Sequence, residues 1–283
     1  MSIDPNPQLD MSIRSRSPAG RRGLLAMLLA SIFSLGTGTL TAEQVPVRHL
    51  EGVTHGFLVL STLKGRQLAS GELIQNASGN RVTSRLLFHF PDGSVHDETS
   101  VFLQRRRFRL LTYHLIQKGR TFKEPLEVEI DRASGRVTVH TVDDDGEPKT
   151  HTEKMKLPDD LANGMILALL KNILPESPST TVSMLAAGPK PRLVKLIITP
   201  TQVDAFATAG AGRQALVYQV KVDIPGMAGL IAPLIGKHPP DSHVWILGGE
   251  APAFVKSESP MFAEGPLWRM ELVSPVWPMK KKK

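Results

Sequence analysis

The chain has 283 residues, of which 41% are hydrophobic, and this is enough apolar material for a packed core. It contains no cysteine, which excludes disulfides, thiol catalysis, cysteine-ligated zinc and iron–sulfur clusters. The formal charge is +7, but residues 1–42 contribute +2 and the four C-terminal lysines contribute +4, so about +1 remains for the body of the chain. A body so near neutrality lacks the positive electrostatic potential that attracts a phosphate backbone, and we predict no nucleic-acid partner.

Residues 1–42 follow the order of an export signal, with arginines first, then the apolar run GLLAMLLASIFSLG, then small residues. We predict a signal cleaved near Ala42 and a periplasmic or secreted protein. An inner-membrane anchor is the alternative, because an apolar run of about 20 residues can span a bilayer. The Arg21-Arg22 pair also fits part of a twin-arginine signal. The second Met-Ser-Ile, at Met11, is an alternative start to Met1.

The first part of the body alternates between apolar and polar residues, which predicts strands at 54–63, 66–75, 80–90, 95–104 and 108–119. Pro91-Asp92-Gly93 is a strong turn signal, because Pro presets φ and Gly accepts a positive φ. A second hairpin is predicted around Ala133-Ser134-Gly135, and DDDGEPK predicts a turn before a strand at 150–157. Such short connections favour an antiparallel meander.

The stretch LPDDLANGMILALLKNILPE, residues 157–176, predicts an apolar helix. Asp159 or Asp160 would cap its first turn, and Pro175 would stop it. A helix of about 14 residues is too short to cross a bilayer. Its wide apolar face either packs on the sheet or lines a cavity through the residues Met165, Leu169 and Ile173.

Further strands are predicted in TTVSMLAA, RLVKLIIT, RQALVYQVKVDI, VWILGG and PLWRMELVSP. Between them GMAGLIAPLIGK, residues 226–237, predicts a second short apolar helix that contains Leu230 and Ile231. The predicted fold class is therefore mainly β: a large curved antiparallel sheet or open barrel, with two short apolar helices covering its concave face. We expect one β-rich domain over 43–278 and a basic tail over 279–283.

No motif in the sequence supports catalysis or cofactor binding. GAGRQA, residues 210–215, fits part of a dinucleotide fingerprint, but a strand pattern follows where the fingerprint needs a helix, so a hairpin loop is favoured. The pairs His89 with His96 and His238 with His243 lack the spacing of zinc ligands. Adjacent carboxylates such as Asp97 and Glu98 fit turns. We predict no catalytic residue, no cofactor-binding residue, no cofactor and no metal ligand.

Several segments resemble a group of uncharacterised exported bacterial proteins. They are FPDGSVHDETSVF, FRLLTYHLIQKG, LPDDLANGM, TTVSMLAAGPKPRLVKL and DSHVWILGGEAPAFVKSESPMFAEGPLWRMELVSPVWP. This resemblance implies no activity and no site residue. The chain is also similar, at the level of fold, to periplasmic lipoprotein-carrier half-barrels, in which helices plug a curled antiparallel sheet, and that analogy implies architecture alone.

Three functions are consistent with these patterns. The first is non-catalytic binding or carriage of an apolar or lipid-like ligand, lined by Met165, Leu169, Ile173, Leu230 and Ile231. The second is a structural or interaction module of the cell envelope, with an envelope protein as partner. The third is a hydrolase whose site is assembled from distant residues. The oligomeric state is left open.

Overall fold

The computed structural model describes residues 44–143, 145–188, 190–208, 211–224 and 239–273. The chain divides into the compact units Met1–Thr39 and Leu40–Lys283, and all described residues belong to the second. The predicted signal, the basic tail and the domain limits 43–278 remain predictions. The second predicted helix, with Leu230 and Ile231, lies outside the described residues.

Within the described residues, fourteen strands form one antiparallel sheet. They are β1 (Thr54–Thr62), β2 (Gln67–Ser78), β3 (Arg81–His89), β4 (Val95–Gln104), β5 (Phe108–Lys118), β6 (Leu126–Asp131), β7 (Arg136–Val142), β8 (Pro148–Lys154), β9 (Thr180–Ala186), β10 (Arg192–Thr208), β11 (Ala211–Asp223), β12 (Ser242–Leu247), β13 (Ala253–Pro260) and β14 (Leu267–Val273).

The strands form a meander with one long-range pairing, between β1 and β14. Neighbours in the sheet are consecutive in the chain, except that β1 pairs with β14, placing Leu60 opposite Met270. The edges of the sheet, as far as it is described, are β8 and β9. The predicted antiparallel meander is confirmed, and the described sheet is open.

The turn chemistry behaves as the sequence predicts. Gly93 takes a φ of 83°, and the Asp92 carboxylate accepts the Ser94 amide at 2.9 Å. Gly135 takes a φ of 73° in the next predicted hairpin. In place of a dinucleotide loop, Thr208 of β10 pairs with Ala211 of β11, so the hairpin interpretation of this segment is confirmed.

The sheet curls until distant strands touch. Six strand spacings separate β5 from β13, which would be about 29 Å in a flat sheet. Nevertheless the Gln117 amide of β5 donates to the carbonyl of Met261, directly after β13, at 2.7 Å. The rings of Phe122 and Phe262 meet edge to face across the same gap, 5.7 Å between centroids. The apolar faces of the β5 and β13 regions of the sheet therefore share one core.

Residues 157–176 cross the concave face of this sheet, and we call them the plug segment. The described residues contain one α-helix, α1 (Ile166–Leu170), within this segment. The predicted helix is therefore much shorter than expected: it follows Met165, which provides no side-chain cap, and it ends before Pro175. Among the described residues, no helix is long and apolar enough to cross a membrane.

Non-local contacts explain why the plug segment is not one long helix. Gly164 takes a φ of 67°, and a Cβ there would lie 2.7 Å from the Ser100 side chain, whose hydroxyl donates to the Gly164 carbonyl at 2.9 Å. The Asn163 side chain pairs with the backbone of Leu185 in β9, accepting at 2.8 Å and donating at 3.0 Å. Sheet contacts therefore replace helical hydrogen bonds in this part of the segment.

The predicted helix cap is wrong because both carboxylates bind elsewhere. Asp159 pairs with the Arg132 guanidinium. Asp160 accepts the Ser183 hydroxyl at 2.9 Å and lies 3.7 Å from the Lys195 ammonium. These bonds fasten the start of the plug segment to the rim of the sheet.

The end of the plug segment is also held by hydrogen bonds and an ion pair. The Asn172 side-chain oxygen accepts the backbone N–H groups of Arg48 and His49, both at 2.7 Å. The ammonium of Lys171 lies 2.5 Å from the buried Glu51 carboxylate. With both ends held by charged or bidentate contacts, the segment forms a fixed wall over the concave face.

Candidate functional site

A cavity of about 330 Å³ lies between the plug segment and the concave face of the sheet. This volume falls within the range typical of small-molecule sites, about 300–1,000 Å³. Its walls are mainly apolar: Ile166, Leu167 and Ala168 come from α1, and the sheet contributes residues such as Leu60, Leu73, Leu86, Met184, Trp268 and Met270. Such walls favour an apolar ligand body over water.

Three of the residues predicted to line a cavity lie on the plug segment. Met165, Leu169 and Ile173 are buried among the core residues, and the residues of α1 that line this cavity are Ile166, Leu167 and Ala168. The ligand-lining role of these three residues, like that of Leu230 and Ile231, remains a prediction.

One carboxyl group borders the cavity. Glu98 of β4 lines it, and its Oε1 accepts the hydroxyl of Tyr113 on β5 at 2.8 Å. Removal from water raises the pKa of Glu98, although the Tyr113 hydrogen bond opposes this. Burial and the nearby carboxylate raise the pKa of Tyr113 well above its usual value, so its hydroxyl stays protonated and donates.

His96 lies two residues before Glu98 and faces the same way, as the two-residue period of a strand requires. It is 5% exposed, and burial lowers its pKa to about 4, so the ring is neutral near neutral pH. The Gln117 amide donates to the carbonyl of Met261 and lies 3.0 Å from Nδ1 of His96. Because that amide can only donate, Nδ1 is the acceptor, which assigns the ring proton to Nε2.

The cavity also contains a polar atom without a partner. Ser257 of β13 is 3% exposed and lines the cavity, and its Oγ has no hydrogen-bond partner in the described part of the chain. A buried hydroxyl in that state costs about 1–3 kcal/mol. Such a group gains most from a ligand that hydrogen-bonds to it.

The charge balance of the cavity is one-sided. Glu98 is the one carboxylate among its described lining residues, and no lysine or arginine lines it there. In contrast, the outer face of the same strands pairs its charges: Arg85 and Asp97 form a bidentate contact at 2.7–2.8 Å. The adjacent carboxylates Asp97 and Glu98 therefore lie on opposite faces of one strand, within the strand predicted over 95–104 and not at a turn.

The histidine pairs noted in the sequence do not form sites in the described chain. His89 is exposed on the outer face while His96 is buried on the inner face. His243 lies on β12 with its ring 6.3 Å from that of Trp245, and His238 is outside the described residues. The described residues do not bring either pair together.

A separate group on the outer face has the composition of a metal site. Ligand atoms of His114, Glu127 and Glu129, on β5 and β6, lie within 4.8 Å of one another. His114 already contacts the Glu127 carboxylate at 2.7 Å, as an ordinary surface pair would. The group is open to solvent, and nothing else around it points to an ion.

Hydrolytic chemistry gains no support from the contacts of the cavity. Among the described residues, no hydrogen bond joins His96 or Glu98 to a serine hydroxyl, since Gln117 and Tyr113 are their partners. The cavity combines apolar walls with a few polar groups held by their neighbours.

His96 and Glu98 were named from the sequence without being placed on a cavity wall, and Tyr113 was not singled out. The alternation of HDETSVF within β4 was a usable signal, because it places His96, Glu98 and Phe102 on one face. That this face is covered depends on the plug segment and on strands far along the chain.

No protein-family model matches this chain, and no curated protein sequence matches it. Among solved structures it is similar to a beta-barrel-like protein of domain of unknown function DUF1849 from Brucella abortus, with 10% identity and a TM-score of 0.44. The match covers 81% of this chain and 100% of that chain. The described structure itself is mainly β and built on a large antiparallel sheet, and the resemblance to uncharacterised exported proteins remains a resemblance.

Proposed function

We propose that this protein is a non-catalytic binding or carrier protein of the bacterial cell envelope, whose ligand has an apolar or lipid-like body. The observation that carries the proposal is the apolar cavity of about 330 Å³ between the curved sheet and the plug segment. The predicted export signal supports placement in the periplasm.

The geometry suits a pre-formed binding cavity. The two sides of the cavity are differently built: the sheet side is a continuous hydrogen-bonded wall, while the plug side rests on a five-residue helix and side-chain contacts. An apolar ligand would replace water against Leu73, Leu86 and Leu167, with a gain of about 25 cal/mol for each Å² of apolar surface buried.

A cavity-filling substitution tests this function. Leu167 is half-buried on the cavity wall, so Leu167→Trp should occupy the ligand volume and weaken the binding of 1-dodecanol by about tenfold or more, equivalent to about 1.4 kcal/mol. Leu63→Trp is the matched control, because Leu63 is 42% exposed and outside the cavity.

Binding would be measured by calorimetry on the full chain, and organic extracts of protein purified from the periplasmic fraction would be examined by mass spectrometry. The proposal expects binding in the wild type and in the control, with loss in the cavity variant. It fails if the folded wild type binds no apolar probe and carries no extractable ligand.

A further inference from the structure

We infer that the ligand carries a protonated amine as its head group, held by the Glu98 carboxylate, so that the ligand class is a cationic amphiphile such as a long-chain primary amine. This inference rests on the proposed function and adds the chemistry of the head group. It is carried by the position of one unpaired carboxylate inside an apolar cavity.

Glu98 is half-buried and lacks the cationic partner that a carboxylate removed from water normally has. Its one hydrogen bond in the described chain is the Tyr113 hydroxyl at 2.8 Å, and it forms no ion pair there. In the sheet its direct neighbours are Leu86 and Leu115, which provide no polar atom beyond the backbone. Removing a carboxyl group from water without a cation favours its neutral form, which raises its pKa, and a ligand that supplies the cation favours the ionised form instead.

The neighbouring side chains provide no cation for Glu98, so a ligand would have to supply it. The other titratable side chains that line the cavity are His96 and Tyr113, and both are uncharged near neutral pH. The plug segment contributes Asn163, Gly164 and the apolar residues of α1. The described cavity thus holds one ionisable acid and no cationic side chain.

This balance discriminates between classes of lipid-like ligand. A fatty acid or phosphate ester would place a second acidic group beside Glu98 with no cation in the described lining, and two such groups cannot both ionise there without strong repulsion. An alcohol could donate one hydrogen bond but would leave the charge uncompensated. A primary ammonium compensates the charge and has three N–H donors for acceptors around it.

The test compares three probes with the same chain and different heads. Dodecylamine, 1-dodecanol and dodecanoate would be titrated, below their aggregation concentrations and near neutral pH, into the full-length wild type, Glu98→Gln and Glu129→Gln. Glu98→Gln keeps an oxygen that can accept the Tyr113 hydroxyl while removing the charge. Glu129→Gln removes an equivalent charge from the exposed outer face of β6.

The wild type should bind dodecylamine at least about tenfold more tightly than 1-dodecanol, since a charge-assisted hydrogen bond contributes about 1.5–3 kcal/mol. Dodecanoate should bind most weakly. In Glu98→Gln the preference for the amine should disappear while 1-dodecanol binding persists, which also shows that the variant is folded. Glu129→Gln should retain the preference of the wild type.

The outcomes separate the two proposals. Equal binding of amine and alcohol by the wild type, or tightest binding of dodecanoate, overturns the head-group inference and leaves the apolar-cavity function standing. An amine preference that survives in Glu98→Gln also overturns the inference. Failure of all three probes to bind the folded wild type overturns the proposed function itself.

Discussion

The imidazole of His96 illustrates how the concave face alters a single side chain. The ring lies between Phe88 and Phe122, with centroid distances of 6.5 and 6.4 Å, and is almost fully buried. Burial lowers its pKa to about 4, against a smaller opposing effect of Asp97. The unfolded chain therefore takes up a proton near pH 6.5, well before the folded protein does.

The protein should accordingly lose stability as the pH falls from about 6.5 to about 4, because protons bind more readily to the unfolded chain in this window. The loss attributable to His96 is on the order of 3 kcal/mol, since one pKa unit corresponds to about 1.4 kcal/mol. Replacing His96 by Gln should reduce this dependence of stability on pH. The free energy of unfolding in urea, measured across this pH window, checks the prediction.

His89→Gln is the control for this experiment, because His89 is exposed on the opposite face. Glu98 acts with the opposite sign: its raised pKa gives stability that is present when it is protonated and is lost as the pH rises. Both variants retain Glu98, so its contribution cancels between them. If the two variants have the same acid slope, His96 does not carry the effect.

At this scale the site was only partly predictable. The two-residue period of β4 fixes which residues share a face, and it separates Asp97 from Glu98. It does not reveal that Gln117 orients His96 or that Tyr113 binds Glu98, since these partners come from β5. Their chemistry also depends on burial by elements far along the chain.

The plug segment shows where periodicity fails at the scale of an element. Its apolar spacing is helical, yet only Ile166–Leu170 forms the helix. The polar residues within it, Asn163 and Asn172, are the reason: their amides hydrogen-bond to the backbones of other elements. Buried hydrogen bonds to the rest of the fold outweigh the modest free energy of extending a short isolated helix.

The Asn163 side chain takes the place of a neighbouring strand at the edge of β9, because it binds the backbone there. Its amide satisfies both backbone groups of Leu185, so Asn163→Ala should leave them unpaired in a buried place and cost about 2–4 kcal/mol of folding free energy. Urea unfolding would measure this. Asn76→Ala, at an exposed position of β2, should change the free energy by less than about 0.5 kcal/mol.

Loss of Asn163 should also expose the edge of β9, which would favour association between molecules. Light scattering on the two variants would detect that difference. Equal stability of Asn163→Ala and Asn76→Ala would show that the amide does not hold the plug segment to β9.

For the whole molecule, local signals predicted most of the strands and their meander order, because turn residues such as Gly93 and Gly135 specify hairpins. Two features were missed. β13 has the polar sequence AFVKSESP and gives little apolar signal. The pairing of β1 with β14 joins distant parts of the chain, and no local pattern encodes it.

The edges of the sheet should differ from its interior in protection. Within the described chain β8 pairs on one side only and carries Pro148, Lys149 and Lys154, residues typical of a guarded edge. Peptides covering β8 should therefore exchange amide hydrogens near the unprotected rate, while β6, paired on both sides, should be slow. Hydrogen-exchange mass spectrometry measures both. Slow exchange in β8 would indicate that another part of the chain covers this edge.

The pairing of β1 with β14 determines when the cavity can form during folding. Leu60 and Met270, which face each other across it, are both walls of the cavity. Pairing residues so distant in sequence is slow, because a large loop must close before any contact rewards it. A chain that emerges from a ribosome or a membrane channel starting with β1 has no closed cavity until β14 has followed. Under the proposed function, a ligand could therefore load only after synthesis of β14, and a chain cut short before β14 would present its apolar inner face to chaperones and proteases instead.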